Sequence, residues 1–334
     1  MKTIFYNPNP AKIDEVYPER VVEELRRLGD IDTTVYSKAD LLSADEKFAD
    51  VEYIFSTWEL EPLTEEEIRR HLPSLKAVFY SAGTVQFFAR PFLNCGVKVF
   101  SAWAANAVPV AEYTVAQIIL ANKGYYLSAP TVKTKRYAEA RKSFEEHYPG
   151  NFNVKVGIIG AGMIGKLVIQ MLKAYRMDVL VFDPFLADEQ ATALGVKKVD
   201  LAELFSTCHV ISNHLANNTQ TQGMLKAEHF ATMRPYATFI NTGRGAQVVE
   251  KDLISVLRER SDLVAVLDVT DPEPPVESSP FYDLENCILT PHIAGSCGFE
   301  KYRMAEYMSE EFRNHLQGRP CKYEVTLKML ETMA

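Results

Sequence analysis

Lys155-Val156-Gly157-Ile158-Ile159-Gly160-Ala161-Gly162-Met163-Ile164-Gly165 is the stretch that decides the fold. Val154–Ile159 is an apolar run of strand length. Met163, Ile164, Leu167, Val168, Met171, Leu172 and Tyr175 then recur with a period of about 3.6, the mark of a helix packed on one face. The glycines between them fall as Gly-x-Gly-x-x-Gly. Gly160 permits the tight turn out of the strand, Gly162 lets backbone approach a pyrophosphate, and Gly165 lets the helix close on its strand. The pyrophosphate would sit at the helix N-terminus, opened by Met163 and Ile164, where main-chain N–H groups lack partners. Such a motif alone is weak. Here Asp183 ends the next strand, 18 residues after Gly165, where an acidic residue hydrogen-bonds a ribose 2′-hydroxyl. Its carboxylate would repel a 2′-phosphate, and Pro184, Phe185 and Leu186 supply no arginine for one. The pattern favours NAD over NADP.

Working outward, Val179–Phe182, Val210–Ser212, Thr238–Asn241, Val264–Val269 and Ile288–Thr290 read as further strands, most of them separated by helical patterns. The first hundred residues alternate in the same way. Thr3–Tyr6, Thr33–Tyr36, Val51–Phe55, Leu75–Tyr80 and Val97–Phe100 are strand-like, and Thr64-Glu65-Glu66-Glu67 is a capping box opening a short helix. Alternation of this kind predicts an α/β chain with parallel sheets covered on both faces. Pro109–Lys123 reads as a long helix too apolar for a solvated surface. Tyr125–Gly150 is polar and weakly periodic and reads as an arm or long loop. Phe299–Leu316 reads as a last amphipathic helix.

The chain has 334 residues, enough for two domains or one large one. With 47% apolar and 24% charged residues it is neither disordered nor fibrous. A net charge of −8 argues against nucleic acid and anionic membranes as partners. The cysteines, Cys95, Cys208, Cys287, Cys297 and Cys321, are odd in number and none pairs at C-x-x-C spacing. They read as reduced thiols of a cytoplasmic protein. The apolar stretch at Met1–Pro8 is too short for a signal peptide. Val97–Ala121 carries Lys98, Asn106, Pro109, Glu112 and Gln117 and does not read as a membrane span. Metal-ligand spacings, Walker A and G-x-S-x-G are all missing from the sequence, so no metal is expected.

In doubly wound sheets, ligands bind beyond the carboxyl ends of the strands. Thr242-Gly243-Arg244-Gly245 follows one strand, Thr270-Asp271-Pro272-Glu273-Pro274 another, and Pro291-His292-Ile293-Ala294-Gly295 a third. Arg, Glu and His therefore share an edge with the glycine turn. An arginine fork can bind the carboxylate of a 2-keto acid and polarise its carbonyl. A histidine can exchange the alcohol proton. A glutamate on its other nitrogen fixes the tautomer and favours the imidazolium. Taken singly, Arg244 reads as a turn residue, Glu273 as a solvated carboxylate and His292 as a cap. Three together beside a dinucleotide turn read as a site. Among the other histidines, His214 lies at a strand end near an adenine position, and His209 reads as core or boundary. His71, His147, His229 and His315 read as solvated.

These residues resemble the D-isomer-specific 2-hydroxyacid dehydrogenase family over nearly the whole chain. The resemblance rests on Gly160–Gly165 with Asp183, Ile240-Asn241-Thr242-Gly243-Arg244-Gly245, Leu267-Asp268-Val269 with Glu273-Pro274, and Pro291-His292-Ile293. Asn106-Ala107-Val108-Pro109-Val110-Ala111-Glu112 resembles the start of the family's interdomain helix. Ser81-Ala82-Gly83-Thr84 resembles the substrate domain's glycine turn. The resemblance implies two Rossmann/flavodoxin-like parallel-sheet domains with an interdomain cleft. The discontinuous substrate domain would be 1–101 plus 296–334, and the NAD-binding domain 102–295. It implies Arg244, Glu273 and His292 as catalytic residues. Gly160, Gly162, Met163, Ile164, Gly165, Asp183, His214, Thr242 and Asp268 would bind NAD, with Asp268 near the nicotinamide carboxamide. Ala82, Gly83, Thr84, Asn106 and Arg244 would bind a small 2-keto or 2-hydroxy acid. His214-Leu215-Ala216-Asn217-Asn218-Thr219-Gln220-Thr221 departs from the family's His-x-Pro-x-Thr-x-x-Thr. A homodimer with the Pro109–Lys123 helix near its two-fold axis is expected. Two other readings remain: a non-catalytic NADH-sensing, corepressor-like module, which the intact Arg244, Glu273 and His292 oppose, and a formate dehydrogenase-like enzyme, which has Gln where this chain has Glu273.

Overall fold

The computed structural model describes residues 2–44 and 46–331. The strands, in chain order, are β1 (Lys2–Tyr6), β2 (Asp30–Tyr36), β3 (Val51–Ser56), β4 (Ala77–Tyr80), β5 (Lys98–Ser101), β6 (Val154–Ile159), β7 (Met177–Phe182), β8 (Lys197–Lys198), β9 (Val210–Asn213), β10 (Thr238–Asn241), β11 (Val264–Leu267), β12 (Cys287–Leu289) and β13 (Glu324–Val325). They fall in two compact units. One runs to Asn106 and resumes at Ser296; the other is Ala107–Gly295.

The first unit is built on a sheet of order β13-β5-β4-β3-β1-β2, parallel except for β13. Its strands repeat a motif. Ile4-Phe5, Ile54-Phe55, Val78-Phe79 and Val99-Phe100 each present an aliphatic residue to one face and a phenylalanine to the other, as the two-residue strand period requires. Phe5 pairs with Phe55, Phe55 with Phe79 and Phe79 with Phe100 in register. The rings form a ladder, Phe79 and Phe100 stacking with centroids 4.7 Å apart. Phe312, Met308, Met304 and Ala305 of the helix Glu300–Leu316 close over it. Removing one such buried ring costs about 3–5 kcal/mol.

The second unit has sheet order β12-β11-β10-β9-β6-β7-β8, every adjacent pair parallel. The chain steps outward from β6 through β7 to β8. It then returns to the other side of β6 with β9, so the topological switch point lies between β6 and β9. Val156, Ile158, Val181, Val210, Ile240 and Val266 pack on one face with Val168, Ile169 and Leu172 of the helix Met163–Leu172. Ile211, Phe239, Ala265 and Leu267 pack on the other with Phe205, Phe230 and Leu253.

The helix expected from Pro109 begins at Trp103 and ends at Asn122. Pro109 lies inside it, where the proline removes only the bond to the carbonyl of Ala105. By length and apolarity this helix could cross a membrane, yet half of its apolar window is buried in the protein. Ala111, Val115, Ile118 and Ala121 pack against the β6 residues Val156 and Ile158. The stretch read as an arm or loop is instead the helix Tyr125–His147, kinked at Arg136, where φ is +64°. Of its described side chains only Tyr126 and Ala140 reach the buried class, so it carries almost no apolar stripe to read. Three histidines read as solvated lie inward. His71 is buried; His315 lies edge-on to the rings of Phe79 and Phe100; His229 packs on Phe205. Burial holds His229 and His315 below the usual imidazole range.

Candidate active site

Gly160 leaves β6 with φ +89°, and a Cβ there would lie 2.8 Å from the carbonyl oxygen of His214. A Cβ on Gly165 would lie 2.0 Å from the carbonyl oxygen of Gly160, so the helix can approach the turn only without a side chain. Around Gly162, by contrast, a Cβ would meet nothing within 4 Å. Packing does not require that glycine. Its lack of a side chain leaves the main chain open to a close-lying ligand. Gly162 is the N-cap and its helix start has no side-chain cap, leaving the amides at Met163, Ile164 and Gly165 for an anion. Asp183 follows β7 and reaches the same turn: Oδ2 accepts from the N–H of Ala161 at 2.7 Å and Oδ1 from that of Phe185 at 2.8 Å. These residues fit a dinucleotide.

His214 meets this turn through its main chain. Its ring is buried and faces inward, Nε2 lying 2.9 Å from Ser212 Oγ and Nδ1 3.5 Å from Thr242 Oγ1. Thr242 in turn contacts Thr114 Oγ1 at 3.2 Å. Burial pushes the His214 imidazole down to about 3, so it carries no charge that a phosphate could use. The departing segment after it keeps its turn by other means. Asn218 Oδ1 accepts from the N–H groups of Gln220 and Thr221, and Thr221 Oγ1 donates to the carbonyl of Ala216.

Arg244 follows β10 on a main chain held by the side-chain amides of Asn241 and Gln247. Its Nη1 donates to the carbonyl of Gly243 at 2.7 Å. Among the described residues no carboxylate lies within ion-pair distance of it, so the other donors of the fork remain for a ligand. Gly245 brings the Arg244 turn flush against the loop beyond β11: a Cβ there would lie 2.0 Å from the carbonyl carbon of Thr270. Glu250 fixes that loop from behind, accepting from the N–H of Asp271 at 2.8 Å. Burial raises the Glu250 carboxyl above the usual range.

That loop carries Glu273, whose Oε1 lies 2.6 Å from Nδ1 of His292; both side chains are partly exposed. His292 has φ +53°, a conformation that L-residues rarely adopt. Asp268 holds it there. The Asp268 carbonyl accepts from the N–H of His292, Oδ1 from that of Ile293 at 2.8 Å and Oδ2 from that of Ala294 at 2.9 Å. Thr290 Oγ1 completes the set at 2.6 Å. Asp268 is thus a buried clamp on the His292 loop.

In the first unit, the turn after β4 shows its carbonyls inward. Thr57 Oγ1 donates to Ser81 O at 2.9 Å, and Ser101 Oγ donates to both Ala82 O and Gly83 O at 2.8 Å. A trans peptide directs N–H opposite to C=O, so the amides of Ala82, Gly83 and Thr84 face the other way. Among the described residues they have no protein acceptor. Asn106 Oδ1 accepts from the N–H of Ser296 at 3.0 Å, and its Nδ2 lies beside Gly83. The turn and Asn106 form one donor set suited to a small anion.

Residues 115–294 match the family model described as D-isomer specific 2-hydroxyacid dehydrogenase, NAD binding domain. The chain is 30% identical to the D-3-phosphoglycerate dehydrogenase of Archaeoglobus fulgidus over 236 residues, 71% of this chain and 44% of that protein. The chain therefore spans under half the length of the D-3-phosphoglycerate dehydrogenases it matches. It is 30% identical to the (S)-sulfolactate dehydrogenase of Chromohalobacter salexigens over 69% of this chain and 74% of that protein. The fold is that of a phosphoglycerate oxidoreductase from Rhizobium etli, with TM-score 0.82 and 20% identity over 98% of this chain and 99% of the other. D-mandelate dehydrogenase of Rhodotorula graminis superposes with TM-score 0.79 and 20% identity, covering 97% of each chain.

Proposed function

Because the chain belongs to the D-isomer-specific 2-hydroxyacid dehydrogenase family, we propose that it is an NAD-dependent oxidoreductase interconverting a small 2-keto acid and its D-2-hydroxy acid. Bound NADH supplies the hydride. Gly160, Gly162, Met163, Ile164, Gly165 and Asp183 would hold it, the amides on the pyrophosphate and the carboxylate on the adenosine ribose. Arg244 binds the substrate carboxylate with its unclaimed donors and draws electron density from the carbonyl. His292 gives the carbonyl oxygen its proton, so that one keto acid, one NADH and one proton become one hydroxy acid and one NAD⁺. Glu273 holds Nδ1 and leaves Nε2 to deliver that proton. The turn Ala82–Thr84 and Asn106 offer further donors for a carboxylate.

The 2.6 Å contact of Glu273 with His292, on a strained loop with its own buried clamp, carries the reading. A merely structural histidine needs neither a carboxylate on its ring nor a left-handed backbone. The test is loss of NADH absorbance with glyoxylate, pyruvate, hydroxypyruvate and bulkier 2-keto acids. Turnover of at least one supports the reading; NADH binding with no turnover of any would replace it with a sensing module.

We also place the protein in the cytoplasm as a homodimer. Its five cysteines are unbridged. Leu120, Tyr125, Val132 and Tyr137 are exposed on the consecutive helices Trp103–Asn122 and Tyr125–His147. Light scattering at micromolar concentration checks the dimer, and a monomeric mass rejects it.

A further inference from the structure

Three amide side chains, at the ends of β9 and β10 and in the turn after β10, are fully or almost fully buried: Asn213 at 0%, Asn241 at 1% and Gln247 at 0% exposure. Buried amides are costly unless every donor and acceptor is met. Here they meet one another. Asn213 Nδ2 donates to Asn241 Oδ1 at 3.0 Å and to Gln247 Oε1 at 2.6 Å. Its Oδ1 accepts from the N–H of Leu215, and Gln247 Nε2 donates to the carbonyl of Leu215 at 2.7 Å. An apolar trio would fill this space without any of these demands.

What the network does besides satisfying itself is grip one residue. Gln247 Oε1 accepts from the N–H of Arg244 at 3.2 Å, and Asn241 Nδ2 donates to its carbonyl at 3.1 Å. Asn241 Oδ1 also takes the N–H of Gly243 at 3.1 Å. The amides lie so close under the turn that a Cβ on Gly243 would stand 2.8 Å from Gln247 Oε1 and 3.0 Å from Asn213 Nδ2. Both peptide groups of Arg244 are therefore fixed by side chains rooted in β9, in β10 and in the turn that follows.

We propose that Asn213, Asn241 and Gln247 are positioning residues that aim the Arg244 guanidinium by clamping its main chain. The role rests on the reading that Arg244 binds the substrate carboxylate. A guanidinium lies at the end of a long flexible side chain, so a small rotation of its peptide planes moves the fork far. Carboxylate recognition by a planar fork tolerates little misalignment.

The experiment uses the full chain loaded with NADH. Oxamate is the probe, a carboxylate beside an amide carbonyl that resists hydride addition. Calorimetry gives its affinity for wild type, Gln247→Leu, Gln247→Met and Arg244→Lys, and fluorescence gives NADH affinity for each. Phe239→Leu, a core change in β10, serves as a control that lowers Tm without touching the network. The expected result is oxamate affinity weakened by about tenfold in both Gln247 variants, NADH affinity unchanged, and no weakening in Phe239→Leu. Keto-acid KM should rise in parallel. Unchanged oxamate affinity in the Gln247 variants, with Arg244→Lys weakened, overturns the positioning role and leaves the arginine's role intact. Equal weakening in Phe239→Leu reduces the network to a stability device. Unchanged affinity in Arg244→Lys overturns the arginine reading, and the clamp's purpose with it.

Discussion

Glu273 and His292 come from loops after different strands, and Oε1 of one lies 2.6 Å from Nδ1 of the other. The ring of His292 is thus held by the loop after β11, while Asp268 at the end of the same strand holds its main chain. Two independent restraints on one imidazole fix its position and the nitrogen it presents. That is what proton delivery to a carbonyl oxygen needs.

Glu273→Gln keeps the shape and removes the charge. Keto-acid reduction should fall by about a hundredfold in kcat, with NADH affinity unaltered. Steady-state kinetics beside a fluorescence titration check both halves. A kcat equal to wild type would mean that this carboxylate does not serve His292.

Arg244→Lys retains a positive charge but loses the planar fork. KM for the keto acid should rise and kcat drop, together lowering kcat/KM by about a hundredfold. NADH affinity should stay, because the glycine turn is a separate set of residues. Unchanged keto-acid kinetics would remove Arg244 from the site.

On the proposed reading, Asp183 sets the cofactor preference. Its carboxylate, tied to the N–H groups of Ala161 and Phe185, should reject the 2′-phosphate of NADPH. Wild type should use NADH with the higher kcat/KM, and Asp183→Ser should narrow the gap. Equal use of the two cofactors by the wild type contradicts the assignment.

Acid should destabilise the fold through a buried base. Burial pushes His214 down to about 3, whereas an unfolded histidine titrates at about 6.5. Between those values the unfolded chain binds the extra proton, so stability is complete above about 6.5 and drains as pH falls. His214 alone contributes about 1.4 kcal/mol per pH unit in that window. His209, which burial, Arg234 and Lys155 push down to about 4, adds in the same direction. Urea midpoints should therefore decline from neutral to mildly acid pH, and less steeply in His214→Gln. Equal slopes for the two proteins would dismiss this histidine as the cause.

How much could be read beforehand follows from what sets each feature. The glycine turn is legible because Gly160 and Gly165 are each forced by a backbone contact that excludes any side chain. Arg244, Glu273 and His292 are legible because parallel strands bring their following loops to one edge. The amide trio left no such trace: Asn213, Asn241 and Gln247 are far apart in sequence, and only packing shows that they meet. A buried Asn ending a strand beside another was the available signal. The inward positions of His71, His229 and His315 are hidden for the same reason, since burial is a tertiary fact. The helix Tyr125–His147 hides because it buries too few of its own residues to print a period. The aromatic ladder of Phe5, Phe55, Phe79 and Phe100 could have been seen, as the aliphatic-Phe pair recurs in four strands.

The central claim is most directly tested by chiral analysis of the product formed when the protein, NADH and the best 2-keto acid of the panel react to completion. The account predicts the D-2-hydroxy acid in amount equal to the NADH consumed, and only about a few per cent of that amount from the Arg244→Lys protein on the same timescale. An L-product, or NADH left unconsumed with every acid tried, would contradict it.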